Sequence, residues 1–566
     1  MSKKRSTFLA FVLAIVMLVT IVPQIDPIKG EDISTSSQIT YEFSNQNAGS
    51  AYGKITFTSN EPGTYSLYWG DSAGNKLKYN GVEYSELGTC ETTSNNLTAT
   101  YQVISPYTAI PEGAKELLVC DKQSKVVGTY NIPESKQFNG GKLSYKFGVM
   151  SDVHYNRYPE KADYNVNDDS VPAFNNALKF MNDQGIDFVG LTGDLSARSE
   201  TSAFTKFQAA INNYPNMTVY TCMGNHDDYN INDFKKYVNT KKDTDQNIKN
   251  IDDTGVDFVY EKGGDIFIFF SQTQWNYGKY GTLVTTSQLN WLEKTLNTYA
   301  NKNVYLFFHT YFASENGDVT TAVGNLINPG GYTYDLTYTF GRDDEKRFRN
   351  LLNKYPNVTM FSGHSHWAYD QQKYNPNLNI GNIKADNSGA SLVHISSVSA
   401  PRTIETNASK RDENNGVKSE GTVALKYSNC TVYTGVDFKN GKYLAYATYL
   451  NIDGRKGTPV PAVKIKKTKI TSVGKVKKVS KKSKKYKVKI KYKKISGAYK
   501  YQIKYSTSSK FKAKKTKTKY TKKTTYTLTK LKKKTKYYVK VRAYAYQFGD
   551  VVYGKWSKVK KIKTKK

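Results

Sequence analysis

The sequence predicts a multidomain protein in which an α/β layered domain stands between two small β-sandwiches. Three observations carry this. Residues 38–137 read as short alternating strands separated by turn formers such as Glu61-Pro62-Gly63 and Asn80-Gly81. From Leu143 the texture changes to longer apolar runs that stop at polar residues and alternate with helically spaced stretches, the pattern of α/β layers. The charge is also segregated. Residues 461–566 hold 40 Lys and Arg against one acid, Asp550, a formal +39, whereas the rest of the chain holds 43 bases against 47 acids, or −4. A mildly acidic body therefore carries a very basic tail, although the formal net charge of the whole is +35.

The elements follow in order. Lys3, Lys4 and Arg5 precede an apolar stretch over 8–22, which reads as the n-region and h-region of a secretory signal peptide spanning 1–30. The stretch is shorter than the ~20 residues of a spanning helix. A cut near Gly30 and an uncleaved N-terminal anchor both fit, and no later segment is apolar enough to span a membrane. Residues 31–140 form the first sandwich, closed by the Gly140-Gly141 linker. The α/β domain covers 143–458. Buried strands are expected at 145–150, 188–191, 219–223, 304–308 and 358–361, with later strands at 392–396, 432–438 and 444–450. Helices are expected at 171–184, 286–296 and 341–355. Residues 459–461 read as a linker. The tail, 463–566, has strands at 486–493, 499–505, 525–531 and 537–545, in which Tyr, Val or Ile alternates with Lys, as a half-buried strand requires.

Candidate chemistry gathers where apolar runs end. Five of the six histidines fall in one series: Asp152-Val153-His154, Gly193-Asp194, Gly224-Asn225-His226-Asp227, His309, and Gly363-His364-Ser365-His366. Strands in α/β layers deliver side chains at their carboxyl ends, so five separated runs can converge on one rim. Asp152 and His154 are two apart, and an extended strand would point them to one side. Glycines at 193, 224 and 363 let the backbone turn before a ligand. Seven or eight N and O donors suffice for two metal ions and a hydrolytic site. The donors suit Fe, Mn, Zn or Co alike.

In this order the motifs resemble the calcineurin-like metallophosphoesterase superfamily over roughly 143–450, and the 288–292 helix segment is similar to a recurrent feature of it. The resemblance implies a β-sandwich core flanked by helices and two divalent or trivalent transition-metal ions, Mn, Fe or Zn. Asp152, His154 and His366 would hold one ion, Asn225, His309 and His364 the other, and Asp194 would bridge them. His226 would contact the phosphate and protonate the leaving oxygen, with Asp227 orienting it or beside it. The activity implied is hydrolysis of phosphate mono- or diesters by a hydroxide activated between the two metals. The chain departs from the family pattern at Ala197, where another Asp or Asn is frequent and where purple acid phosphatases carry an iron-ligating Tyr, and at Thr310-Tyr311 after His309. The tail resembles a fibronectin type III module through Leu531, Thr535, Tyr537, Val539, Val541 and Ala543, the strand of that family's tyrosine corner, and through Gly554-Lys555-Trp556-Ser557.

Other residues read more plainly. His394 is expected to be a strand histidine, Cys222 a small buried residue, Tyr155 and Arg157 part of a solvated loop, and Arg342, Lys346 and Arg347 an exposed helix face. Cys90 and Cys120 share the first sandwich, and a disulfide or two free thiols both fit. The combination suggests a bacterial extracellular or cell-wall-associated enzyme. Its partners would be a phosphate-ester substrate and, through the basic tail, an anionic cell-wall polymer, without sequence-specific nucleic-acid binding. A solvated lysine coat is the plain alternative for the tail. The rival for the whole chain is a surface polyanion-binding protein with a vestigial phosphoesterase domain.

Overall fold

The apolar runs between residues 143 and 452 become strands of two mixed sheets, because a strand covered on both faces can be apolar at every position. The computed structural model describes residues 38–156, 170–273, 284–310, 342–372, 383–384, 389–402 and 418–564. The signal segment, Arg157 and Tyr311 lie outside these, as do the side chains of Arg342 and Lys346.

In chain order the elements are β1 (Leu143–Met150), α1 (Ser170–Asp183), β2 (Phe188–Leu191), α2 (Thr201–Asn212), β3 (Thr218–Thr221), α3 (Ile231–Tyr237), β4 (Ile248–Ile251), β5 (Phe258–Lys262) and β6 (Asp265–Phe269). They continue with α4 (Thr286–Thr298), β7 (Val304–Phe307), α5 (Arg342–Lys354), β8 (Val358–Ser362), β9 (Ile383–Lys384), β10 (Ser391–His394), β11 (Glu420–Tyr427), β12 (Cys430–Asp437) and β13 (Lys442–Ile452). The first sheet runs β3-β2-β1-β11-β12-β13 and the second β4-β5-β6-β7-β8-β10-β9. β1, β2 and β3 are mutually parallel, as are β6, β7, β8 and β10. The carboxyl ends of each parallel set therefore lie on one edge of its sheet.

One apolar cluster joins the facing sides of the two sheets through Phe147, Phe188, Phe267, Phe307, Phe361 and Tyr433. The outer side of the second sheet is covered by Leu289, Leu292 and Leu296 of α4 and by Phe348, Leu351 and Leu352 of α5. Phe174, Leu178 and Met181 of α1 and Phe204 and Phe207 of α2 belong to the cluster on the outer side of the first. The apolar spacing of α4 is reinforced at its start by a capping box, in which Thr285 Oγ1 accepts from Gln288 N and Gln288 Oε1 accepts from Thr285 N. Arg347 is not a free face residue. Its guanidinium donates to Asn290 Oδ1 (2.7 Å) and meets Glu293 Oε2 (3.1 Å), tying α5 to α4.

Before β1, two sheets of three and four strands occupy 38–131. They share a buried interior with Phe57, Leu67, Trp69, Leu117 and Val119. This unit covers the free edge of β13. Ser85 N donates to Tyr443 O (2.7 Å), Ala109 N to Thr448 O (2.8 Å), and Leu450 N to Tyr107 O (2.8 Å). An unpaired edge strand is a template for aggregation, and these contacts remove it. All four cysteines are buried free thiols.

The tail comprises β14 (Ile470–Val473), β15 (Lys477–Lys478), β16 (Tyr486–Tyr492), β17 (Lys500–Ser506), β18 (Thr516–Thr521), β19 (Thr525–Leu531), β20 (Lys536–Gln547), β21 (Asp550–Tyr553) and β22 (Lys560–Lys563). One sheet gathers β14, β15 and β19 around β16, and the other runs β18-β17-β20-β21 with β22 paired to β20. Val488, Ile490, Ile503, Val539 and Val541 fill the interior, so alternate lysines face out. Lys532 N donates to the hydroxyl of Tyr537 (2.9 Å), the back-bond expected of a tyrosine corner. The β20–β21 hairpin meets α4, where Asp550 pairs with Lys294 (2.7 Å).

Candidate metal centre

Every stretch of the histidine and aspartate series begins just past a strand end, after β1, β2, β3, β7 and β8. The expected extended geometry at Asp152 and His154 is not what brings them together. β1 ends at Met150, and Asp152 (φ 57°) and His154 (φ 51°) each enter the left-handed region, as do Asp194 (55°), His364 (74°) and His366 (62°). Non-glycine residues rarely adopt this conformation, and Asp and His tolerate it better than most. Five such residues in one place mark a backbone held by its surroundings. The glycines also act differently from one another. Gly193 has φ 103°, but Gly224 and Gly363 supply space: a Cβ on Gly224 would strike Asp194 Oδ1, and one on Gly363 would strike Ser151 Oγ.

Two donor triads result, Asp152–His154–His366 and Asp194–His309–His364, each with ligand atoms within 4.8 Å of one another. In the first, His366 Nε2 lies 3.0 Å from Asp152 Oδ1 and 3.0 Å from His154 Nε2. In the second, His309 Nε2 lies 3.0 Å from Asp194 Oδ2 and 3.2 Å from His364 Nδ1. Asp194 Oδ2 is also 3.6 Å from His154 Nε2, so a single oxygen stands between the triads. Donors about 2.0–2.1 Å from a cation lie roughly 3 Å apart, so these spacings are those of a coordination shell. Asn225 Oδ1 is buried and accepts no hydrogen bond, as a carbonyl oxygen reserved for a cation would be. The residues present therefore fit a metal centre, and all seven expected ligands except Asn225 fall in these two triads.

Without an ion, imidazoles and carboxylates balance one another here. Burial raises the Asp194 and Asp152 carboxyls, yet neighbouring imidazoles (His309 for Asp194, His366 for Asp152) hold both below the usual range. Burial lowers His309, but Asp194 and then Asp152 outweigh it and bring it up to about 9. Burial and His309 push His364 well down, so it stays a neutral donor. The surrounding shell fixes these groups. His309 Nδ1 donates to Thr192 O (3.0 Å), and Asp152 Oδ2 accepts from His364 N (3.0 Å) and from Ser151 Oγ. Ser397 and Ser399 donate to Asp152 O at 2.9 and 3.1 Å. The run Ser396-Ser397-Val398-Ser399, one residue past β10, is the sequence signal for these serines.

His226 is half-buried, its ring 5.1 Å from that of His154, and it forms a third group with His154 and Asp194. Its Nδ1 lies 2.6 Å from Ala197 O, and its backbone N donates to Asp194 Oδ1 (2.9 Å). With Nδ1 donating to Ala197, Nε2 is the nitrogen able to exchange a proton. Of the two expectations for Asp227, orienting His226 or sitting beside it, the hydrogen bonds of its carboxylate do not bear out the first. The Asp227 carboxylate is fully buried and accepts from Leu195 N, Ser196 N and Gly224 N at 3.0–3.2 Å. It braces the loops carrying Asp194 and Asn225. Burial and then Asp194 push it up to about 7. Asp227→Ala is therefore expected to cost about 3 kcal/mol or more in denaturant unfolding, because three buried donors lose their acceptor. The folded fraction should keep its turnover per bound metal within about tenfold; a loss as deep as that of a His226 variant would return Asp227 to the chemistry.

The remaining expectations divide. His394 is buried between Ser362 and Ser365, and burial brings its ring down to about 4, which makes it a neutral strut under the His364–His366 turn. Tyr155 is not solvated. It is buried, pairs with Leu195 and Ala197 through its backbone, and meets Phe174 edge to face. Thr310 is buried and donates to Gln272 Oε1 (2.7 Å). Asp228 is buried, and neither of its carboxylate oxygens has a hydrogen-bond partner among the described residues.

Residues 145–368 match the family model described as calcineurin-like phosphoesterase, a segment that holds all seven expected ligands and His226. The chain carries a calcineurin-like phosphoesterase domain. No curated protein matches the sequence. Among solved structures, vacuolar protein sorting 29 from Cryptosporidium parvum aligns over 55% of this chain and 100% of its own, at 12% identity and a TM-score of 0.23. The FN1–FN3 domains of chicken CNTN1 align over 27% of this chain at 16% identity and TM-score 0.15, and the chain spans 44% of that fragment. The fn3 domain of the human collagen alpha-1(XX) chain aligns over 19% of this chain and 91% of its own, at 14% identity and TM-score 0.14. Together, the calcineurin-like phosphoesterase match and the His/Asp cluster support a metal-dependent phosphoesterase.

Proposed function

We propose that this chain is an exported phosphoesterase that hydrolyses phosphate mono- or diesters at a two-metal centre, with its modules at 31–140, 143–458 and 463–566. A β-sandwich core flanked by helices is the layering that goes with this reading. The observation that carries it is the pair of donor triads on either side of Asp194 Oδ2, with His226 at their edge. Asp152, His154 and His366 hold one ion, and Asn225, His309 and His364 the other. When bound, such ions supply positive charge to a phosphoryl group and lower the pKa of a water towards about 7. The chain's own groups do the rest. Asp194 keeps the two ligand sets in register, His226 contacts the phosphate and protonates the departing oxygen, and the Ala197 carbonyl fixes its ring.

The test is hydrolysis of p-nitrophenyl phosphate and of its bis ester by the purified chain, metal-free and after loading with Mn²⁺ or Zn²⁺. Turnover of at least one ester, dependent on metal and abolished by chelator, is expected. No turnover of either ester with any metal would leave the chain as a binding protein with a decayed site.

A further inference from the structure

The two sheets of the basic module present different outer faces. On β16 the outward residues are Lys487, Lys489 and Lys491, an ordinary lysine coat. On the β18-β17-β20-β21 sheet, the outward positions mix cations with rings. Of the five tyrosines most exposed among the described residues, four lie here: Tyr499, Tyr520, Tyr546 and Tyr553, each 40–52% exposed. They surround Tyr544, with ring centroids 5.6–6.2 Å from it. Tyr499, Tyr520 and Tyr546 are steeply inclined to it, in edge-to-face contact.

Beside the rings is a cluster of unopposed positive charge. Lys504 stands directly opposite Lys540 on the neighbouring strand, with Arg542 in the next outward row opposite Gln502. Like charges directly opposed across strands are destabilising. The only acid of the module, Asp550, is taken by Lys294. The cations are held in place. Lys540 lies 4.7 Å and Arg542 4.5 Å from the Trp556 ring centroid, and Arg542 lies 3.3 Å from that of Tyr553. A hydrogen-bond row crosses the strands, from Arg542 Nε to Gln502 Oε1 (2.7 Å) and from Gln502 Nε2 to the Tyr520 hydroxyl (2.8 Å).

We propose that this face binds single-stranded nucleic acid without sequence selectivity, phosphates lying on Lys504, Lys540 and Arg542 and bases on the tyrosine rings. Charge alone would accept any polyanion. The rings decide the class, because a cationic surface carrying exposed aromatic rings, Tyr520 and Tyr546 foremost since Lys500 and Lys522 lie over Tyr499 and Arg542 over Tyr553, is the chemistry on which successive bases stack. The inference is independent of the phosphoesterase reading, because it concerns binding by another part of the chain.

Fluorescence anisotropy of labelled oligo-dT with the full chain, in chelator so that no ester is cleaved, tests it. Oligo-dT is expected to bind at least tenfold tighter than polyphosphate of equal charge at the same salt. Tyr520→Ala/Tyr546→Ala/Tyr553→Ala is expected to remove that excess and leave polyphosphate binding within twofold. Lys504→Gln/Lys540→Gln relieves a repulsion and should not impair folding, so it keeps the test open should the alanine variant fail to fold. It is expected to flatten the slope of log affinity against log salt by about 1.4. The Lys487→Gln/Lys489→Gln/Lys491→Gln control, although it removes three charges, should lose less affinity than this pair. Equal affinity for oligo-dT and polyphosphate, or a larger loss in the control, would overturn the proposal in favour of a diffuse charge coat. Displacement of oligo-dT by heparin at lower concentration than by unlabelled oligo-dT would overturn it in favour of an acidic polysaccharide.

Discussion

Asp194→Asn is expected to strip metal from the purified protein and to lower turnover by about 10³-fold or more, a loss of roughly 4 kcal/mol of transition-state stabilisation. Asp194 Oδ2 lies 3.6 Å from His154 of one triad and 3.0 Å from His309 of the other, so weakening it weakens both ligand sets at once. The fold should survive, because Asn keeps an oxygen for the hydrogen bond from His226 N. Metal analysis beside a thermal melt separates the possibilities. A folded variant that retains full metal and wild-type turnover would show that Asp194 does not join the two sets.

His226→Gln is the second large effect and has the opposite metal signature. Its ring sits at the rim, half-buried, and is held by Ala197 O. Metal content is expected to stay near that of the wild type while turnover falls by roughly 10²–10⁴. The loss should be larger for alkyl phosphates than for nitrophenyl phosphates, since a nitrophenolate leaves with little help from an acid. A variant that loses metal in proportion to activity would make His226 a ligand, as its place beside His154 and Asp194 would then require.

How far the sequence could be read depended on whether a signal was local. β2 was placed to the residue and α1 and α4 nearly so, because burial on both faces or on one stripe writes itself as a run or a period. The amphipathic α2, with Ala203, Phe204, Phe207 and Ala210 buried, carried the same signal and was overlooked. α3 and β4 are short and polar on one side and have little to show. At the site, the residue types and their order pointed to the donors that come together, but not to the backbone that presents them. A left-handed φ at Asp152 and His154 leaves no trace in composition, because the strain is borne by neighbours distant in the chain, such as Gly193, Asp194 and Ser397.

The sequence by itself determined the kind of chemistry on offer. Imidazole, carboxylate and amide groups placed after apolar runs restrict the donors to N and O, and the charge division sets a basic module apart from an acidic body. Only the tertiary structure decided how those groups are held. It turned the Asp227 carboxylate towards backbone N–H donors and away from His226, made Gly224 and Gly363 necessary for space and not for rotation, and set Lys504 against Lys540 beside a ring of tyrosines. Those distinctions depend on which atoms meet across sheets, and contact between distant strands is a property of packing that no local pattern encodes.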